Sequence, residues 1–303
     1  MNGVLIIDKP SGLTSHDVVN RARRILGERS IGHLGTLDPM ATGVLPLVAG
    51  TLTRLAQFYT KSEKIYEGTI RFGFATDTYD AEGEPTSPVQ QVSLRAEEVE
   101  AQAARFRGII KQTPPPFSAK KIKGVPAYKL ARQQKDVMLT PVQVEIKEFE
   151  ILAVEADRAR FRARVASGTY MRSVAHDMGR ELACGAHLES LRRTSVAEFS
   201  LEDAHTLEQV AAAAGTPETL EDLLVHPRKL LPDFPSVTAD EPTAARIRNG
   251  RTVNLSDLSR ARQVKVFTGQ RELVAIATRI AGTLFHPSLV LTTLPAEDLI
   301  RRK

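Results

Sequence analysis

Gly32-His33-Leu34-Gly35-Thr36-Leu37-Asp38-Pro39-Met40-Ala41-Thr42-Gly43-Val44-Leu45 sets one carboxylate and one imidazole in a run of small or apolar residues. Pro39 restricts the backbone after the acid and biases Asp38 away from helix. An isolated Asp-Pro usually marks a turn in which the Asp caps a backbone N–H. A carboxylate held stiffly among apolar neighbours is costly unless something pairs or reacts with it. Such a group can act as a nucleophile or a general base. Metal chemistry is not expected. Cys184 is the only cysteine, which excludes an intrachain disulfide and zinc sites built on several thiolates. The seven histidines show no pair at helical ligand spacing, and no Gly-rich phosphate loop is present. No cofactor is implied.

The elements that must position Asp38 can be read around it. Val4–Ile7 is a short buried strand, and Thr14-Ser15 caps a helix with Val18, Val19, Ala22, Ile25 and Leu26 on one face. Thr51–Tyr59 reads as helical. Lys64–Phe74 alternates strictly, with Tyr66, Gly68, Ile70, Phe72 and Phe74 sharing a face. The acids of the turn-rich 75–83 loop read as turn caps. Ser93 opens a helix with Val99, Ala103, Phe106 and Ile110 on its stripe, broken by Thr113-Pro114-Pro115-Pro116. A long irregular excursion then runs to about Leu139. Val142–Leu152 and Arg158–Val165 read as an antiparallel pair. Arg158, Arg160, Arg162 and Arg164 point to one side of it, a basic rail suited to phosphates. A helix carries Met171, Val174, Ala175, Met178 and Leu182; the adjacent His176 and Asp177 read as structural. Leu188–Arg193 leads into a strand near Val196–Phe199, and an Ala-rich helix spans Leu207–Ala214. The Pro-rich 227–242 region reads as a linker, and short β-like runs beyond it predict a small barrel. The fold expected is α+β, a mostly antiparallel sheet with flanking helices plus a C-terminal β-barrel. The expected boundaries are 1–235, with a basic insertion at about 105–139, and 236–303.

The 303 residues have an ordinary globular composition, with 42% apolar and 25% charged side chains. No apolar run approaches the ~20 residues of a membrane helix. The opening segment lacks a basic n-region and reads as a strand, so a cytoplasmic protein is expected. Net charge is +5, and the segment from Val237 onward carries 11 Lys/Arg against 6 Asp/Glu, the whole surplus. A second concentration spans 105–135, with nine basic side chains, no acid, and Phe106, Phe117 and Tyr128 interleaved. That pattern favours a polyanionic partner.

The run from Gly32 to Leu45 resembles the signature loop of the TruB family of tRNA pseudouridine synthases. Lys64-Ile65-Tyr66-Glu67-Gly68, Pro114–Lys120, Ser167–Arg172 and Gly185–Arg193 resemble further family motifs in family order, with Met171 where the family more often shows Ile. The resemblance covers residues 1–200 well, and from 237 on is looser, to an RNA-binding PUA-type barrel. It implies isomerisation of uridine 55 in the TΨC arm of tRNA to pseudouridine, without metal or cofactor. The reaction breaks N1–C1′, turns the uracil and joins C5 to C1′. It needs an unprotonated carboxylate beside a flipped nucleotide. Asp38 is implied as that group, by attack on C6, attack on C1′ or removal of the 2′ proton. Arg172 is the implied partner that keeps it ionised; a cation at a helix start otherwise opposes the dipole. Tyr66 offers a π-face to the uracil and a hydroxyl for the C5 proton. Tyr170 and Leu191 are implied to pack the base, and His33 to stack where it leaves the stem-loop. Lys120, Lys121, Lys123, Lys129 and Arg132 are expected to contact phosphates. The partner expected is the tRNA T-arm stem-loop, met by a monomer with no obligatory protein partner and no membrane. The competing readings are a synthase for another RNA and a non-catalytic RNA-binding or chaperone protein.

Overall fold

β1 (Gly3–Lys9) is buried along nearly its whole length, so its Val-Leu-Ile-Ile core is continuous where a half-exposed strand would alternate. The computed structural model describes residues 1–118, 120–122, 124–131, 133, 139–256 and 259–291. Helix α1 (Ser15–Leu26) begins at Thr14, whose side chain forms a reciprocal capping box with Asp17, and ends at left-handed Gly27. Then come β2 (Ile31–His33), β3 (Thr42–Ala49), a 3-10 turn over Gly50–Leu55, α2 (Ala56–Tyr59) and β4 (Lys64–Phe72). The middle of the chain supplies α3 (Ala96–Ala104), β5 (Gly108–Gln112), β6 (Lys121–Ile122), β7 (Val125–Pro126) and α4 (Ala127–Ala131). β8 (Val142–Glu155), β9 (Arg158–Val165), α5 (Met171–Glu181), β10 (Ala186–Val196), β11 (Phe199–Ser200), α6 (Leu207–Ala213) and α7 (Pro217–Asp222) follow. The C-terminal part holds β12 (Ser236–Thr238), α8 (Glu241–Arg248), β13 (Val253–Asn254), β14 (Gln263–Thr268), β15 (Glu272–Ala281) and β16 (Leu284–Val290).

Among the described residues the main sheet runs β1-β3-β10-β4-β9-β8-β5, with β2 beside β3 and β11 beside β10. Every pairing in it is antiparallel except β10 on β3, which meet in parallel at Arg192–Thr42 and Arg193–Gly43. This is the α+β frame expected. Leu5, Ile7, Ile70, Phe72, Phe149 and Phe161 bury against Val18, Val99, Val174, Met178 and Val210 of the helices. On the opposite face Val4, Ile6, Val44 and Val48 share a cluster with Phe267, Leu273, Ile276 and Leu289 of the C-terminal strands. Those strands form a curled sheet, β12-β14-β15-β16-β13, with a core of its own around Val264, Val266, Val274 and Phe285. The second face of the main sheet is thus covered near β1 and β3, whereas Glu67 of β4 and Arg160, Arg162 and Arg164 of β9 are exposed. No helix among the described residues is long and apolar enough to cross a membrane.

The short parallel contact is what admits the Asp38 loop. Gly43 has φ +97°, and a Cβ there would lie 2.2 Å from the Arg193 carbonyl oxygen. Gly43→Ala is therefore expected to destabilise the protein by on the order of 3 kcal/mol, through left-handed strain plus a backbone clash. A melting temperature within a degree of wild type would contradict this close approach.

Several local expectations change. The helix expected to reach Ile110 stops at Ala104, because Gly108 takes φ +87° and starts β5, where Ile110 lies on a strand. Its N-cap is Arg95 rather than Ser93. The excursion is less irregular than expected: β6 pairs with β7, and α4 follows. The alternating strand ends at Phe72, since Gly73 turns the chain at φ +106°. Leu188–Arg193 is itself the centre of a strand, β10, which its bulges between Leu188 and Ser190 and between Arg193 and Ser195 hide from a strict period of two.

Candidate active site

Residues 34–41 cross between β2 and β3 and are gripped from two sides. From the β1–α1 turn, the Ser15 hydroxyl donates to Leu37 O (3.0 Å) and accepts from Leu37 N (2.8 Å), while Gly12 N donates to Pro39 O at 2.9 Å. The Lys9 ammonium donates to Pro10 O at 2.9 Å and Pro39 O at 3.1 Å. From β10, the fully buried Arg193 donates Nε to Val44 O (2.8 Å), Nη1 to Thr36 O (3.3 Å) and Nη2 to Gly35 O (3.0 Å). It makes no ion pair among the described residues, so backbone carbonyls alone satisfy its donors. Burial pushes the Lys9 amine down to about 8, with Arg193 adding to the fall and Asp38 opposing it. Lys64 is pushed down to about 8 by burial and by the same arginine. A loop held by this many side-chain contacts presents its carboxylate in one place.

That carboxylate meets Arg172. Nη2 donates to Asp38 Oδ1 at 3.1 Å, and Nε lies 2.9 Å from Oδ2, although its N–H is not aimed at that oxygen. Arg172 is 4% exposed, whereas about a third of the Asp38 side chain, 34%, is open. The guanidinium also donates Nη1 to Thr78 O (3.1 Å) and Nη2 to Phe117 O (3.0 Å). Its place is fixed from below: the Gln112 side chain accepts from Tyr170 N (2.8 Å) and donates to Tyr170 O (3.1 Å), and Ser173 Oγ donates to Thr113 O. Gln112 thus does the work of a cap at the start of α5, where no side chain of the helix's own N-cap does.

Asp80 is the residue that sequence reasoning missed. Its acids' loop was expected to cap turns, and Asp77 does so, accepting from Glu84 N at 2.9 Å. Asp80 does more: it is 3% exposed and sets Oδ2 3.4 Å from Arg172 Nη1, while Oδ1 accepts from Thr78 Oγ1 (2.6 Å) and Glu82 N (3.1 Å). The loop reaches this depth because it runs beside β10, with Leu188 N donating to Tyr79 O and Ala81 N to Leu188 O. One guanidinium therefore stands between two carboxylates. Burial pushes the Asp38 carboxyl above its ordinary value, Arg172 opposes the rise, and the Asp80 charge adds to it. Asp80→Asn should then extend activity to lower pH by relieving Asp38 of a like charge. It should also lower turnover about ten-fold by loosening Arg172. A pH–rate profile superimposable on wild type would contradict that coupling.

The other predicted residues are placed as follows. Tyr66 is 8% exposed on β4, opposite Arg193, and Leu191 is 8% exposed on β10, opposite Gly68. Tyr170 precedes α5; burial raises its phenol, and the nearby Asp38 charge adds to the rise. His33 ends β2, at the edge of the loop, and its Nδ1 accepts from Gly35 N at 3.3 Å. Burial, helped by Arg193, lowers its pKa and keeps the imidazole neutral. Lys120 and Lys129 are exposed and form no ion pair with Asp38. Lys123 and Arg132 lie outside the described residues, as does the Lys121 side chain. His176 stacks on Tyr79 with ring centroids 3.7 Å apart, and Asp177 pairs with Arg180; neither pairs with Asp38.

The model of the TruB family pseudouridylate synthase N-terminal domain matches residues 23–171, and that of the tRNA pseudouridylate synthase B C-terminal domain matches 172–231. The tRNA pseudouridine synthase B of Solibacter usitatus is 52% identical over 294 residues, 96% of this chain and all of that protein. The chain belongs to the TruB family. Its Aquifex aeolicus relative, also a tRNA pseudouridine synthase B, is 39% identical over 96% of this chain and 100% of its own length. Among solved structures, a chain of a Cbf5–Nop10–Gar1 complex matches with TM-score 0.70 at 25% identity, over 96% of this chain and 85% of that one. A TruB chain of this similarity is a tRNA pseudouridine synthase. The boundary between the two TruB models falls immediately before Arg172.

Proposed function

We propose that this enzyme isomerises uridine 55 in the TΨC arm of tRNA, and that Asp38 is the group that carries the reaction. The observation behind this reading is the Asp38–Arg172 contact, with a buried cation beneath a carboxylate that is one-third open. A reaction that moves a glycosidic bond from N1 to C5 needs a carboxylate that is ionised yet sheltered from water. Burial raises the Asp38 carboxyl, and Arg172 opposes that rise and so favours the charged form. The uridine leaves its stem-loop, stacks on Tyr66, and is packed by Leu191 and Tyr170. His33 stacks in the gap left behind. Tyr66 then takes the proton from C5 once that carbon has joined C1′. The neutral His33 adds no charge beside the base. Residues 1–235 form the catalytic part, and the basic segment within it, with Lys120, Lys121, Lys123, Lys129 and Arg132, receives phosphates. The sheet from 236 on is a PUA-like module that grips the rest of the tRNA. The enzyme works alone and without a cofactor. The test is a bare T-arm stem-loop transcript with tritium at C5 of each uridine, incubated with the purified chain. Tritium release with pseudouridine mapped to position 55 is expected. Modification elsewhere, or none without an added guide RNA or protein, would overturn the assignment.

A further inference from the structure

The four arginines of β9 are a sequence motif that the chemistry at Asp38 leaves unused, and the structure divides them into two kinds. Arg158 donates Nη1 to Asp157 Oδ1 (2.7 Å) and Nε to both carboxylate oxygens of Glu189 (3.0 and 2.9 Å). Arg164 donates Nε to Glu63 Oε2 (2.8 Å) and lies 3.6 Å from Glu148. Those two are neutralised where they stand. Arg160 and Arg162 are exposed and make no hydrogen bond or ion pair among the described residues. This holds although Glu67 of β4 and Glu150 of β8 stand directly opposite Arg162 in the ladder. The sequence reading of four equal arginines is corrected accordingly: the outer pair serves the protein, and the inner pair is left for something else.

Arg160 of the inner pair lines a cleft continuous with the Asp38 loop, and Arg162 follows two residues along the same exposed face of β9. This cleft of about 550 Å³ runs from Met40, next but one to Asp38, across Leu191 and Arg192 of β10 and Thr69 of β4 to Arg160. It lies on the part of the second sheet face that the C-terminal strands leave open. We propose that Arg160 and Arg162 hold two successive phosphates of the tRNA strand that leads to the reacting uridine, a proposal resting on the function given above. Residues two apart on a strand are about 7 Å apart, a distance over which two guanidinium groups can each take one phosphate of a nucleotide pair. The planar fork of arginine suits phosphate oxygens bidentately. Glu67 and Glu82 line the same cleft without an ion pair among the described residues, whereas Glu189 is taken up by Arg158, so the two free acids disfavour phosphates placed away from the two arginines. The acids therefore narrow the backbone to a single register over the unpaired cations. Contacts of this kind place the strand without reading its sequence.

The test sets Arg160→Gln with Arg162→Gln, in the full chain, against Arg158→Gln with Arg164→Gln. Binding of an unmodified tRNA transcript is measured across a salt series, and turnover is measured at saturating transcript. The inner pair should lower the log–log salt slope by about 1.5 units and weaken binding about ten-fold or more. Turnover at saturation should stay within about two-fold, as for lost uniform binding. The outer pair should leave the slope unchanged, and Arg160→Lys with Arg162→Lys should restore it. An unchanged slope in the inner variant, with turnover retained, overturns the phosphate contacts and leaves the isomerase reading standing. A wild-type chain that forms no pseudouridine on the transcript overturns that reading and this one with it.

Discussion

Asp38→Asn is expected to abolish pseudouridine formation, by on the order of 10⁴-fold or more, with tRNA affinity changed no more than a few-fold. The exchange conserves volume and can still accept from Arg172, so what it removes is charge, nucleophilicity and basicity. Stability should move the other way. Burial raises the folded pKa of Asp38. A carboxyl shifted in that direction contributes stability below its unfolded pKa and loses it as pH rises through the folded value. The neutral asparagine has no such dependence, so its melting temperature relative to wild type is expected to rise as pH climbs through that value. The same sign governs activity: wild-type turnover should fall as pH drops through the raised pKa, because only the ionised form reacts. Tritium release against pH, tRNA binding and thermal melting check the three parts. Appreciable turnover in the Asn variant would remove Asp38 from the chemistry altogether.

Arg172 should show the second large effect, and its geometry separates charge from shape. Arg172→Ala leaves Asp38 and Asp80 as neighbours without the cation between them, and Asp80 has only 5% of its side chain exposed. Breaking a buried pair in this way costs on the order of 3 kcal/mol; the openness of Asp38 reduces its share. Turnover should drop about 10³-fold, and the acid limb of the pH profile should move upward because a lowering influence on Asp38 is lost. Arg172→Lys retains a point charge but cannot reach Asp38, Asp80, Thr78 O and Phe117 O together, so a loss of about 10²-fold is expected. Substrate binding should change little in either variant. Wild-type activity in the Lys variant would show that a point charge suffices; wild-type activity in the Ala variant would show that Asp38 needs no partner.

What could be read in advance follows a physical division. Periodic features were legible: the capped α1 with Val18, Val19 and Ala22 inward, the alternating β4 and β9, and the antiparallel frame all follow from local pattern. The Gly32–Leu45 run singled out Asp38, and the position of Arg172 at a helix start was odd enough to suggest the partner that the structure gives it. Asp80 was not legible, because a loop acid that caps its own turn and one that dives beside β10 to share Arg172 look alike in sequence. Gln112 and Arg193 were hidden for a related reason. Their partners are backbone carbonyls and amides of distant segments, which leave no compositional trace. The arginine rail shows the converse: its spacing was right, yet long-range carboxylates decide which of its members remain free.

The apolar seam beneath β1 also has a meaning for how the protein is made. Val4 and Ile6, at the very start, lie in one cluster with Leu289 and Leu291, and Val225 N donates to Val4 O while His205 N donates to Ile6 O. At a synthesis rate of about 5–20 residues per second, the first strand must wait roughly 15–60 s for the last partners of that seam. Until then an aliphatic strand face is without its final cover, on a nascent chain whose other core is already complete. A chain shortened before β16 would keep all of the Asp38 cluster and still be prone to stick to its neighbours. The yield of soluble enzyme thus depends on residues far from any uridine.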